Sequence, residues 1–111
     1  MVRCIRFVAA LLALAGSSVI ALAAEDEYKI TIENHAFAPM ELKVPAEKKI
    51  KLVIENLDST PEEFESYDLN REKLIGGRSK SAIYIGPLKP GRYAFFGEFH
   101  PKSAQGAVVA E

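Results

Sequence analysis

Ligand-type side chains fall into two short segments of this chain. TPEEFES, Thr60 to Ser66, carries Glu63 and Glu65, and GEFH, Gly97 to His100, carries Glu98 and His100. In an extended strand, residues two apart share a face, so each segment offers two ligands to one side. Carboxylates with an imidazole make an oxygen and nitrogen set suited to divalent iron, manganese, copper or zinc. That set lacks the soft sulfur that selects copper(I). Pro101 follows His100 and holds it in an extended conformation. His35 is the other histidine, placed just after an apolar-alternating stretch, and it weighs equally as ligand and as loop residue. Met40 offers a thioether, although methionine more often fills a core. Against metal binding stands the plain alternative that acids in a charged loop are a solvated face. Arg71 and Arg78 are available to pair with these acids, a contribution that is small when exposed.

The elements that must position these residues read as strands. Tyr28, Ile30 and Ile32 alternate with polar residues, which predicts a half-buried strand over residues 28 to 33. Pro39 and Pro45 bracket a short strand at 40 to 44. Ile50, Leu52 and Ile54 predict a third strand that ends at Asn56. Residues 56 to 78 show little periodicity and much charge, which predicts an irregular connection with a single helical turn near Leu69 to Lys73. Strands resume at Ser81 to Ile85, Arg92 to Phe99 and Gly106 to Ala110. In LKPGRY, a Pro-Gly turn precedes Tyr93 at a strand start, as in a tyrosine corner, where the hydroxyl bonds a backbone group across the turn. Short strands at this spacing predict an all-β Greek-key β-sandwich of seven or eight strands.

The first residues have a different character. Arg3 and Arg6 precede an apolar run from Cys4 to Ala15, and Ala21, Leu22, Ala23 form a small-residue cleavage pattern. Residues 1 to 24 are therefore expected to be a cleaved secretory signal peptide, with one domain over 25 to 111. The apolar run is shorter than a spanning helix needs, so no membrane span is expected in the mature chain. The remainder carries twelve basic and fifteen acidic residues, a net −3 with no basic patch, which speaks against a nucleic-acid partner. Cys4 is the only cysteine. The mature chain thus has neither a disulfide nor a thiolate ligand.

NHAFAPMELKVPAEKKIKLVIENLD, followed by IGPLKPGRYAFFGEFH, resembles the cupredoxin-like family across residues 28 to 110. TPEEFES together with GEFHPKSAQG is more narrowly similar to the small periplasmic cupredoxin-like subunit of bacterial ferrous-iron uptake systems. The resemblance implies a periplasmic protein that binds iron or copper, or both. It would bind or oxidise iron and hand it to a membrane iron permease, alongside other periplasmic subunits. Within that pattern the cysteine position of a blue-copper loop falls on Gly97, the histidine on His100 and the methionine near Ser103. The upstream histidine position falls on or near Glu63 or Glu65. A blue-copper site needs a thiolate, which residues 25 to 111 lack, and this excludes a blue-copper electron carrier. The competing expectation is a metal-free β-sandwich that docks on a membrane or periplasmic partner.

Overall fold

A computed structural model describes residues 26–111. The expected signal peptide and its cleavage point lie outside those residues. Nine strands follow in order: β1 Asp26–Glu33, β2 Ala36–Ala38, β3 Glu41–Val44, β4 Ile50–Asn56, β5 Glu62–Ser66, β6 Arg71–Ile75, β7 Lys80–Ile85, β8 Gly91–Gly97 and β9 Gln105–Ala110. They form two sheets, of order β2-β1-β4-β7 and β3-β9-β8-β5-β6. β1 runs parallel to β4 and β3 parallel to β9, whereas every other pair is antiparallel. The expected all-β sandwich is what the described residues form, with nine strands where seven or eight were expected.

Alternation explains the layering. In β4, Ile50, Leu52, Ile54 and Asn56 are buried while Lys51, Val53 and Glu55 are half-buried. Ile30 and Ile32 of β1 join them from the same sheet. The facing sheet contributes Phe64, Phe95, Ile75 and Val108. Phe37 of the small β2 packs edge-on against Phe95 at 5.0 Å and Phe64 at 6.1 Å, closing one end of the core. Burying each such side chain contributes about 1.5–3 kcal/mol, and this packing is what holds a sandwich without disulfides together. The tyrosine corner is present, since the Tyr93 hydroxyl donates to the Lys89 carbonyl at 2.8 Å.

The region 56 to 78 departs from expectation. It holds a hairpin, β5 to β6, and no helical turn occurs at residues 69–73. The chain instead reverses through 67–70, where Asn70 adopts φ 52°, and then enters β6. Two physical facts hid these strands. The inward positions of β5 are Glu62, Phe64 and Ser66, so polar residues interrupt the apolar alternation. β6 is the edge of its sheet, and Arg71, Glu72, Lys73 and Leu74 are all exposed, as suits an edge that must not template further pairing. Asn56, fully buried, fastens this region to β4. Its Nδ2 donates to the carbonyls of Thr60 at 2.8 Å and Ile75 at 3.3 Å, and its Oδ1 accepts from the Asp58 N–H.

Candidate metal centre

β5 carries its acids on both faces. Glu62 points inward with Phe64, while Glu63 and Glu65 lie on the outer face, half-buried. Antiparallel register sets Glu65 directly opposite Glu72 of β6. On the other side, the Glu98 N–H donates to the Glu63 carbonyl at 2.9 Å, drawing the end of β8 alongside β5. The outcome is one carboxylate oxygen from each of Glu63, Glu65, Glu72 and Glu98, all within 4.8 Å of one another.

The electrostatics of this group are uncompensated. Among the described residues, none of the four carboxylates makes an ion pair with lysine or arginine. Arg71, one of the two cations that flank Glu72 in sequence, directs its guanidinium to the carbonyls of Tyr84, Leu69 and Asn70. The Oε1 of Glu63 is buried with no donor in reach. Its neighbours are the carboxyls of Glu72 and Glu98, which can share a proton with it but repel it when ionised. Glu63 is accordingly pushed up to about 7, first by hydrogen bonding to the Glu72 carboxyl, then by burial and by Glu98. Glu65 is raised as well, first by burial and then by the charges of Glu72 and Glu98.

His100 goes elsewhere. β8 ends at Gly97, and the His100 N–H turns back to the Gly97 carbonyl at 3.2 Å, so Glu98 and His100 do not follow strand alternation. The imidazole Nδ1 lies 2.7 Å from Oε2 of Glu62, a carboxylate only 1% exposed. The ring stacks on His35 with centroids 3.6 Å apart and planes 16° from parallel. His35 is itself clamped. Asn34 and His35 take left-handed φ values of 52° and 56°, which aim their N–H groups at the Asp58 carboxylate at 2.8 and 3.0 Å. The His35 N–H above all, helped by that of Asn34, holds the Asp58 carboxyl below its usual range against the opposing effect of burial. The Ser103 hydroxyl donates to the His35 carbonyl at 2.5 Å, and the His35 Nδ1 stands 3.5 Å from Asp58 Oδ2. Neither ring has a protein partner for Nε2 among the described residues.

Of the six residues singled out from sequence, Glu63, Glu65 and Glu98 converge, and His35 and His100 form a separate pair. Met40 joins neither group. It is 65% exposed, not core, and borders a surface groove with Arg92, Phe96 and Pro101. Two residues escaped sequence reasoning. Glu72 was hidden with its strand, although an Asn-turn between two charged runs was the available signal. Glu62 looked like one more solvated acid, but strand parity places it inward with Phe64.

The chain matches a family model described as "Cupredoxin-like domain" over residues 4–110. It is 49% identical over 83 residues to an uncharacterized protein of Rickettsia prowazekii (strain Madrid E), covering 75% of this chain and 66% of that relative, just under two thirds of its length. Auracyanin A, a "blue" copper protein from Chloroflexus aurantiacus, superimposes with a TM-score of 0.67 at 15% identity, over 79% of this chain and 100% of that one. Amicyanin from Paracoccus versutus gives 0.62 at 19% identity, over 79% and 84% of the two chains. A purple cupredoxin from Nitrosopumilus maritimus gives 0.57 at 19%, over 78% and 100%. At such identities these structures bear on fold alone.

Proposed function

The chain belongs to the cupredoxin-like domain family, and from that premise we propose that it is a metal-binding protein whose ion is held by Glu63, Glu65, Glu72 and Glu98. The observation that carries this reading is the convergence of four carboxylates with no cation among them, one of them with a buried oxygen that lacks a donor. A divalent ion supplies what is missing: it neutralises the mutual repulsion and partners the Glu63 oxygen. All-oxygen ligands select hard ions, so iron or manganese fits better than a soft metal.

The finer reading is periplasmic iron relay. Export rests on the amino-terminal pattern of residues 1 to 24, and no helix among the described residues is long and apolar enough to cross a membrane. The likeness of TPEEFES and GEFHPKSAQG to ferrous-iron uptake subunits supports delivery to a membrane iron permease, with other periplasmic subunits as partners. A site open to solvent at Glu72 and Glu98 suits an ion that is taken up and passed on.

Copper is the second reading, and its thiolate form does not fit. A Cβ on residue 97 would stand 2.7 Å from both the Ala104 Cβ and the Glu62 carboxyl carbon, so position 97 has neither a sulfur nor room for one. What favours copper is the histidine pair: each Nδ1 faces a carboxylate and each Nε2 lacks a protein partner, the arrangement in which outer carboxylates orient histidine ligands.

Calorimetric titration of manganese(II) and iron(II) tests the main reading. Glu63→Gln should weaken binding at least about tenfold, or about 1.4 kcal/mol, whereas His35→Ala should leave these ions nearly unaffected. Unchanged binding by Glu63→Gln would reduce the cluster to a solvated acidic face, and the metal-free docking module would replace this reading.

A further inference from the structure

We infer that Glu62 is a positioning residue for the carboxylate site, holding the turn that carries Glu98 against the strand that carries Glu63. This rests on the metal reading above and adds a residue that need not touch the ion. A single oxygen, Glu62 Oε1, accepts two backbone N–H groups: that of Glu63 at 3.0 Å and that of Phe99 at 2.9 Å. Glu63 is a ligand, and Phe99 directly follows one. The second oxygen, Oε2, is occupied by His100 Nδ1 at 2.7 Å. A carboxylate that is 1% exposed is costly to bury, and here it is matched by three donors drawn from β5 and from the turn after β8.

The rest of the turn is built around that carboxylate. Residue 97 is glycine where any Cβ would lie 2.7 Å from the Glu62 carboxyl carbon and 2.9 Å from Oε2. The turn is drawn in further by Ala104, whose N–H donates to the His100 carbonyl at 2.8 Å and whose carbonyl accepts from Gly97. Metal–oxygen bonds tolerate displacements of only a few tenths of an ångström. The outer face of β5 therefore works as a site only while the inner face fixes where Glu98 stands.

The experiment measures manganese(II) affinity from the electron paramagnetic resonance of the free ion, in the wild type, Glu62→Ala, Glu62→Gln and Glu63→Gln. Glu62→Ala is expected to bind at least about tenfold more weakly, as loss of an orienting outer residue does elsewhere. Glu62→Gln is expected to recover most of the affinity, because its amide oxygen still accepts both N–H groups without the charge. A folded Glu62→Ala with wild-type affinity overturns the inference. So does Glu62→Gln binding as weakly as Glu62→Ala, which would assign the effect to charge. If Glu62→Ala does not fold, Glu62→Met, neutral and similar in length, takes its place in the same comparison. Glu63→Gln separates the two claims: unchanged manganese binding there sinks the carboxylate site itself, while a loss there with wild-type binding in Glu62→Ala sinks the positioning role alone.

Discussion

Glu65 and Glu72 face each other directly across the β5–β6 pair, two like charges in register that pair with no lysine or arginine among the described residues. Such a pairing opposes the hairpin when both groups are ionised. Glu72→Gln should therefore raise the melting temperature of the metal-free protein and weaken manganese(II) binding about tenfold. Calorimetry with and without the ion checks both signs. A variant less stable without metal would show that the pair is not in conflict.

The pH dependence follows from Glu63. Its folded value of about 7 lies above its ordinary 4.5, so the folded state holds a proton that the unfolded state has released. Stability of the metal-free protein should fall as pH rises from about 4.5 to 7, because in this window the unfolded state binds fewer protons. Glu65, raised in the same direction, adds to the trend. Metal binding runs the other way, strengthening up to about pH 7 as the ion displaces the Glu63 proton. Thermal melts of the wild type minus those of Glu63→Gln isolate the effect, and a flat difference over this range would contradict it.

Copper(II) added to the protein should give only weak, broad visible absorption. The intense blue band requires a thiolate, Cys4 is the sole cysteine, and Gly97 has no space for one. His35→Ala should alter the copper spectrum without changing manganese(II) affinity, since the histidine pair and the carboxylates are separate groups. A spectrum identical in the wild type and both histidine variants would remove His35 and His100 from consideration.

Gly106 is a packing position. A Cβ there would lie 2.5 Å from Phe95 Cζ and 2.7 Å from the Met40 carbonyl, and Phe95 is buried among the core aromatics. Gly106→Ala should cost about 1–3 kcal/mol, read as a lower urea midpoint with an unchanged slope. A neutral result would mean that Phe95 can turn aside without loss.

The parts of the fold legible in the sequence are those where burial and alternation agree. Ile30 and Ile32, Ile50 through Ile54, and the LKPGRY corner announce their strands because their inward residues are apolar. β5 fails this test, since the fold spends two of its three inward positions on Glu62 and Ser66, each serving the backbone: Ser66 Oγ donates to the Ala94 carbonyl and accepts from the Leu69 N–H. Glu63 and Glu65 could be paired by parity alone. Joining them to Glu98 rested on the family resemblance, since no spacing links segments so far apart, and Glu72 needed a hairpin that its charges disguised. His100 parted from Glu98 because a turn, where spacing two carries no face, begins at the last residue of β8.

β3 enters its sheet solely through β9, with Glu41 against Ala107 and Val44 against Ala110. A chain made or threaded from its amino end therefore exposes β3 long before its partner exists. Until Gln105–Ala110 emerges, β3 has no sheet and β8 lacks one of its two neighbours. Non-local parallel pairing of this kind is slow to form and rewards nothing early. One sheet of the sandwich therefore stays incomplete until the last strand is made, even though β2, β1, β4 and β7 can already pair. Chains arrested short of Gln105 should remain protease-sensitive, and the sandwich should become resistant only once β9 is free.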